Sequence, residues 1–166
     1  MTRLSPEKDQ TIAELLAGYS RTLAELRRRG VVRTNNAPAG DYAEWLAAKG
    51  LGGELAGNSV KSYDLTLATG ERVQVKARVV SEPATRGQLQ TSSFRSWDFD
   101  LAALVLFRDT DYQVVRAALV PSEVVREHSR LSEHVNGDFV YMTDILLGHA
   151  RAVDITAKLR AAAESA

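Results

Sequence analysis

The chain has 166 residues, of which 45% are hydrophobic, and 21 Lys plus Arg balance 21 Asp plus Glu to a formal net charge of zero. This length predicts one domain with a real core, and no window approaches the roughly 18 consecutive apolar residues of a membrane span. Zero cysteines exclude disulfides, thiolate zinc sites and cysteine nucleophiles. With no apolar signal region in Met1-Thr2-Arg3-Leu4-Ser5-Pro6-Glu7-Lys8, the expectation is a cytoplasmic protein.

Ser5 to Arg29 reads as a helix, with Ser5 as N-cap, Pro6 at the first helical position and Gly30 as the C-cap glycine. Ile12, Leu15, Leu16, Tyr19, Leu23 and Leu26 recur at helical spacing and offer a stripe for the domain or for a second copy in a homodimer. Arg27, Arg28 and Arg29 crowd the last turn. They answer the helix dipole there, or touch a nucleic-acid backbone. A loop through Asn35, Asn36, Pro38 and Gly40 leads to a short helix ending at Lys49, with Gly50 as its stop. Glu54 to Asn58 reads as an irregular first strand.

Tyr63 to Ala68 and Arg72 to Val80 then read as a β-hairpin turning around Thr69-Gly70-Glu71. Val73, Val75, Ala77 and Val79 alternate with Arg72, Gln74, Lys76 and Arg78, giving one apolar and one polar face. Ser81 to Ser96 is a polar loop of about sixteen residues, long enough to suggest function or disorder. Phe99 to Phe107 is a strand buried on both faces. Tyr112 to Val120 is another, ended by Pro121, and a short helix starts at Ser122. Val140 to Leu147 is ambiguous, and a last helix covers about Asp154 to Ala163. The order predicts an α/β or α+β class with a mixed central sheet.

The hairpin carries the chemistry. Gln74 and Lys76, two residues apart in one strand, share a face, and the hairpin can bring Asp64 up to them. A carboxylate, an amide oxygen and an ammonium on one patch can hold a divalent cation and a phosphate together. Arg72, Lys76, Arg78, Arg86 and Arg95 meet only Glu82 between Arg72 and Trp97, either as ordinary surface charge or as a phosphate-binding strip.

A helix with Glu44, then Asp64, nine residues, Gln74, one residue and Lys76 resembles the PD-(D/E)xK nucleases of the restriction-endonuclease-like superfamily, in their Gln-x-Lys variant. The resemblance spans about Asn35 to Val120. It departs from the pattern in having Tyr63 before Asp64 instead of proline, and a neutral Gln74 in place of the second acid. It implies a restriction-endonuclease-like mixed sheet flanked by helices, with residues 1–34 as an added N-terminal helix and 35–166 as the nuclease domain.

The implied activity is Mg²⁺-dependent hydrolysis of phosphodiesters, with double-stranded DNA as the expected partner and Mn²⁺ able to substitute. Asp64 and Glu44 would hold the metal, helped by Gln74 and the Val75 carbonyl. Lys76 would orient or activate the attacking water and steady the phosphate. Arg78, Arg86, Gln88 and Arg95 would contact nucleic acid.

Other readings stand beside these. Asp41-Tyr42-Ala43-Glu44 fits a capping box, in which Glu44 serves only the helix start. Asp64 could form a surface ion pair with Lys76 or Arg72. The neutral charge and Gln74 suit a catalytically inactive module of the same fold that binds nucleic acid or a protein partner. Trp97 suits packing on the sheet edge. His128, His134 and His149 lack metal-ligand spacing, Ser92 and Ser93 lack a nucleophile-elbow context, and Gly50, Gly52 and Gly53 lack a phosphate-loop pattern.

Overall fold

A computed structural model describes residues 10, 12–34, 37–60 and 62–165. In chain order, the described residues form α1 (Ile12–Arg28), α2 (Ala39–Leu51), β1 (Glu54–Leu55), β2 (Leu65–Thr66), β3 (Arg72–Val80), β4 (Leu101–Arg108) and β5 (Val114–Pro121). Then come α3 (Ser122–Glu127), β6 (Arg130–Ser132), β7 (Gly137–Phe139), α4 (Asp144–Leu147), β8 (Val153–Asp154) and α5 (Thr156–Glu164). The class is α+β. A six-stranded mixed sheet runs β1-β2-β3-β4-β5-β8, and β6 and β7 form a separate hairpin. Among the described strands only β3 and β4 pair in parallel; their register sets Val75 beside Ala103 and Lys76 beside Leu104.

The alternation in β3 sorts its side chains between two cores. Val73 and Val75 join Ala103, Val105 and Phe107 on one face, covered by Ala43, Leu46 and Ala47 of α2 and Leu159 and Ala162 of α5. Ala102, Leu104 and Leu106 face the other way, beneath Phe94, Phe99, Val124, Val125, Leu146 and Leu147. Strand β4 is therefore buried on both faces, as its continuous apolar run requires.

A parallel pair needs a crossover. Residues 81–100 supply it without an α-helix, and they are pinned. They contain a 3₁₀ turn at Gly87–Leu89 and bridge to the neighbouring chain at Gln90–Tyr141 and Phe94–Asp138. Phe94 stacks on Trp97 and Phe99, with ring centroids 5.2 and 5.7 Å away. The segment that reads as an open loop is thus a built layer, and it covers the face of β3 that alternation alone marks as solvent-facing. Trp97 belongs to that layer and donates its indole N–H to Asp138 at 2.9 Å.

Several boundaries differ from expectation. The strands around the hairpin are two-residue pieces, Glu54–Leu55 and Leu65–Thr66, and not Glu54 to Asn58 and Tyr63 to Ala68. Helix α2 continues through Gly50 to Leu51 and stops at Gly52, whose φ of +68° closes the helix in the left-handed region. Gly50 instead lets α2 meet α5: a Cβ there would lie 3.0 Å from Leu159 Cδ2 and 3.1 Å from the Lys158 carbonyl oxygen. The β6–β7 hairpin had no clear signal in the sequence. Ser5, Pro6, Asn35 and Asn36 lie outside the described residues, as do the side chains of Ile12, Leu15 and Leu16. No helix among the described residues is long and apolar enough to cross a membrane.

Candidate functional site

Strand β2 is so short that β3 loses its neighbour just where the chemistry starts. The Asp64 N–H donates to the Val73 carbonyl at 2.8 Å, and this is the last backbone rung on that side. Beyond it the Asp64 side chain replaces a strand. Its Oδ2 accepts the Val75 N–H at 2.6 Å and the Gln74 amide N–H at 2.8 Å. Only the N–H end of an amide can bond a carboxylate, so this contact orients Gln74 and leaves its Oε1 for another partner. The N–H and C=O of one strand residue leave from the same edge, so the Val75 carbonyl faces this side too.

Glu44 reaches the same place from α2. It is not a capping residue: α2 begins at Ala39, and Asp41 in its first turn accepts from the Arg33 and Thr34 N–H groups, both at 2.9 Å. Glu44 Oε2 pairs with Arg33 Nη2 at 2.8 Å. Arg33, Asp41, Glu44, Tyr63 and Asp64 line one polar cavity of about 180 Å³. Burial raises the Glu44 carboxyl above its ordinary value, and the Asp64 charge adds to this against Arg33. Burial raises Asp64 as well, opposed by the Val75 N–H and the Lys76 charge. Two acids that each disfavour ionisation, in one cavity, call for a cation.

Lys76 lies under the crossover. Its Nζ donates to Ser92 Oγ at 3.1 Å and to the Ser93 carbonyl at 3.0 Å, and sits 5.0 Å from the centre of the Phe94 ring. An ammonium has three N–H donors, so one remains. Burial lowers its pKa, the Asp64 charge opposes this, and Arg95 adds to the lowering. No direct ion pair joins Asp64 to Lys76 or to Arg72, which corrects the simple ion-pair reading. Arg72 is committed to Asp98 at 2.6 Å and Asp100 at 3.2 Å.

The four core residues Glu44, Asp64, Gln74 and Lys76 thus converge on one end of the sheet. The nucleic-acid candidates separate. Arg78 donates to the Gln88 carbonyl at 3.1 Å, and Gln88 Oε1 accepts from Ser81 and Thr85. These two residues tie β3 to the crossover. Arg86 lies over the Tyr141 ring at 4.2 Å, and Arg95 is exposed beside the Lys76 loop. Arg33, Ser92 and Ser93 are the contributors that the sequence did not signal. Arg33 lies in a connector without a motif, and the serines gain meaning only when the crossover folds over β3.

The donor set suits a hard divalent cation. Asp64 Oδ1, Glu44 Oε1 and Gln74 Oε1 have no hydrogen-bond partner among the described residues, and all are oxygens. Among the described residues no group of three or more His, Cys, Asp or Glu side chains comes together, so any metal here rests on two carboxylates plus neutral oxygens. No family model matches the chain, and no curated protein is significantly similar to it.

Proposed function

We propose that this protein is a Mg²⁺-dependent nuclease of the restriction-endonuclease-like type, hydrolysing phosphodiester bonds in double-stranded DNA. The observation that carries this reading is the Asp64 carboxylate bonded to Val75 N–H and Gln74 at the open edge of β3, with Glu44 and Lys76 converging on it. Mg²⁺ in such a site supplies an acidified water and charge for the phosphate. Mn²⁺ would serve as well.

Asp64 and Glu44 are the carboxylate ligands, with the Gln74 amide oxygen and Val75 carbonyl as neutral ones. Asp64 is held in place by its two hydrogen bonds, so it needs little reorganisation. Lys76, anchored by Ser92 and Ser93, keeps one N–H for the attacking water or a phosphate oxygen. Its lowered pKa brings it closer to accepting a proton, and while charged it offsets the phosphorane charge. Arg86 and Arg95 contact the DNA backbone. Two copies acting together would cut both strands, which favours a homodimer.

A second reading keeps the fold and the nucleic-acid surface without cleavage. Neutral Gln74 and the Arg33 ion pair on Glu44 favour it. Calorimetric titration of Mg²⁺ and Mn²⁺ into wild type and Asp64→Ala, with a short non-cleavable duplex present, separates the two. Metal binding that requires Asp64 and strengthens with duplex supports the nuclease; absence of metal binding in both proteins rejects it and leaves a binding scaffold.

A further inference from the structure

Arg33 is placed with unusual care for a residue in a connector. Its backbone N–H and that of Thr34 are fixed by Asp41 Oδ2. Its guanidinium then bridges Glu44 Oε2 at 2.8 Å and the Ala56 carbonyl at 3.2 Å, on the wall of the cavity that also holds Asp64. The backbone root is thus fixed, and the guanidinium reaches the cavity on a long side chain. Its Nε–H has no partner among the described residues, so the planar fork retains a donor for a second oxygen.

Charge balance makes the position informative. In and beside the site, Asp41, Glu44 and Asp64 are matched by Arg33, Lys76 and Arg95, so the set is neutral when all six are ionised. Arg33 therefore stands where a cation is needed, against the acid that burial and Asp64 both disfavour. A divalent cation entering this neutral group leaves an excess of two positive charges, which an anionic substrate offsets.

We propose that Arg33 is a substrate-phosphate ligand that holds the cation's place at Glu44 in the metal-free protein; this rests on the nuclease reading of the same site. The incoming divalent ion takes Glu44 and releases the guanidinium. The released fork pairs with non-bridging phosphate oxygens, a geometry that guanidinium and phosphate share. Metal and DNA binding are thereby coupled through one side chain. No covalent step is involved.

The test is titration of Mn²⁺ alone into wild type, Arg33→Gln and Arg33→Lys, repeated with a non-cleavable duplex, with duplex affinity followed against salt. In Arg33→Gln, Mn²⁺ alone is expected to bind roughly fivefold tighter or more, because a competing positive charge is gone. Its gain from the duplex is expected to shrink, and the salt slope to fall by about 1. Arg33→Lys keeps the charge without the fork, so Mn²⁺ alone binds near the wild-type level while the duplex gain drops.

A merely structural Arg33 would move metal affinity the other way. Equal or weaker Mn²⁺ binding by folded Arg33→Gln overturns the proposal while Asp64-dependent binding in wild type leaves the nuclease reading intact. If Arg33→Gln does not fold, a full duplex gain in Arg33→Lys overturns it. Wild type without Asp64-dependent metal binding overturns both.

Discussion

Asp64 joins backbone repair to electrostatics. Its carboxylate closes the Val75 N–H that β2 is too short to reach, and it does so as a half-buried acid near Glu44. Because both acids titrate above their ordinary values, the unfolded chain gives up these protons first as pH rises. Their contribution to the stability of the metal-free protein therefore falls as pH climbs from about 4 through the raised folded values. Asp64→Asn can keep both accepted hydrogen bonds through its carbonyl oxygen while removing the charge. It is expected to be more stable than wild type by roughly 0.5–2 kcal/mol at pH 8, with the difference vanishing near pH 4. Thermal unfolding of both proteins across that range in chelator checks this, and a constant difference would refute it. On the proposed nuclease reading, Lys76→Met is expected to lower the cleavage rate roughly a hundredfold or more, while Asp64-dependent Mn²⁺ binding persists. Asp64, Gln74 and Lys76 were legible from spacing because a strand repeats every two residues. Arg33 was not, because its partner Glu44 is eleven positions away across a connector and a helix start.

The crossover and the β6–β7 hairpin form the element pair that decides whether Lys76 is an exposed surface lysine or a held one. The Phe94 N–H donates to the Asp138 carbonyl at 2.6 Å, and the Asp138 N–H returns to the Phe94 carbonyl at 3.2 Å. This tight pairing needs Gly137, where a Cβ would lie 2.9 Å from Ser93 Cβ and 3.0 Å from the Phe94 carbonyl oxygen. Gly137→Ala must push the hairpin off the segment whose Ser92 and Ser93 anchor the ammonium. It is expected to cost about 1–3 kcal/mol in denaturant unfolding. On the proposed nuclease reading it is also expected to lower the cleavage rate despite lying outside the site, with metal binding retained. Unchanged stability would show that the hairpin is free to shift. The segment's Pro83, Gly87 and serines read locally as a loop, and its covering role depends on bridges to residues about fifty positions later, which no local pattern carries.

At the level of the entire fold, two cores share β4, so damage to one face reaches the site through the sheet. Phe107 is fully buried and stacks on Tyr42, with centroids 5.2 Å apart, in the helix that carries Glu44. Phe107→Ala is expected to destabilise by about 3–5 kcal/mol, measured by chemical unfolding, and on the proposed metal site saturating Mn²⁺ is expected to recover part of that loss through binding to the folded state. A variant as stable as wild type would mean that the core collapses around the gap. The α+β class, the buried β4 and the pairing of Asp64 with Gln74 follow from periodicity and turn chemistry, which act over a few residues and are written in the local sequence. The junction of Arg33 with Glu44, the anchoring of Lys76 beneath the crossover, and the bond from Arg78 to the Gln88 carbonyl were decided by tertiary packing. Each depends on which distant segment covers a given face, and that choice is made by the burial of the whole chain's apolar surface.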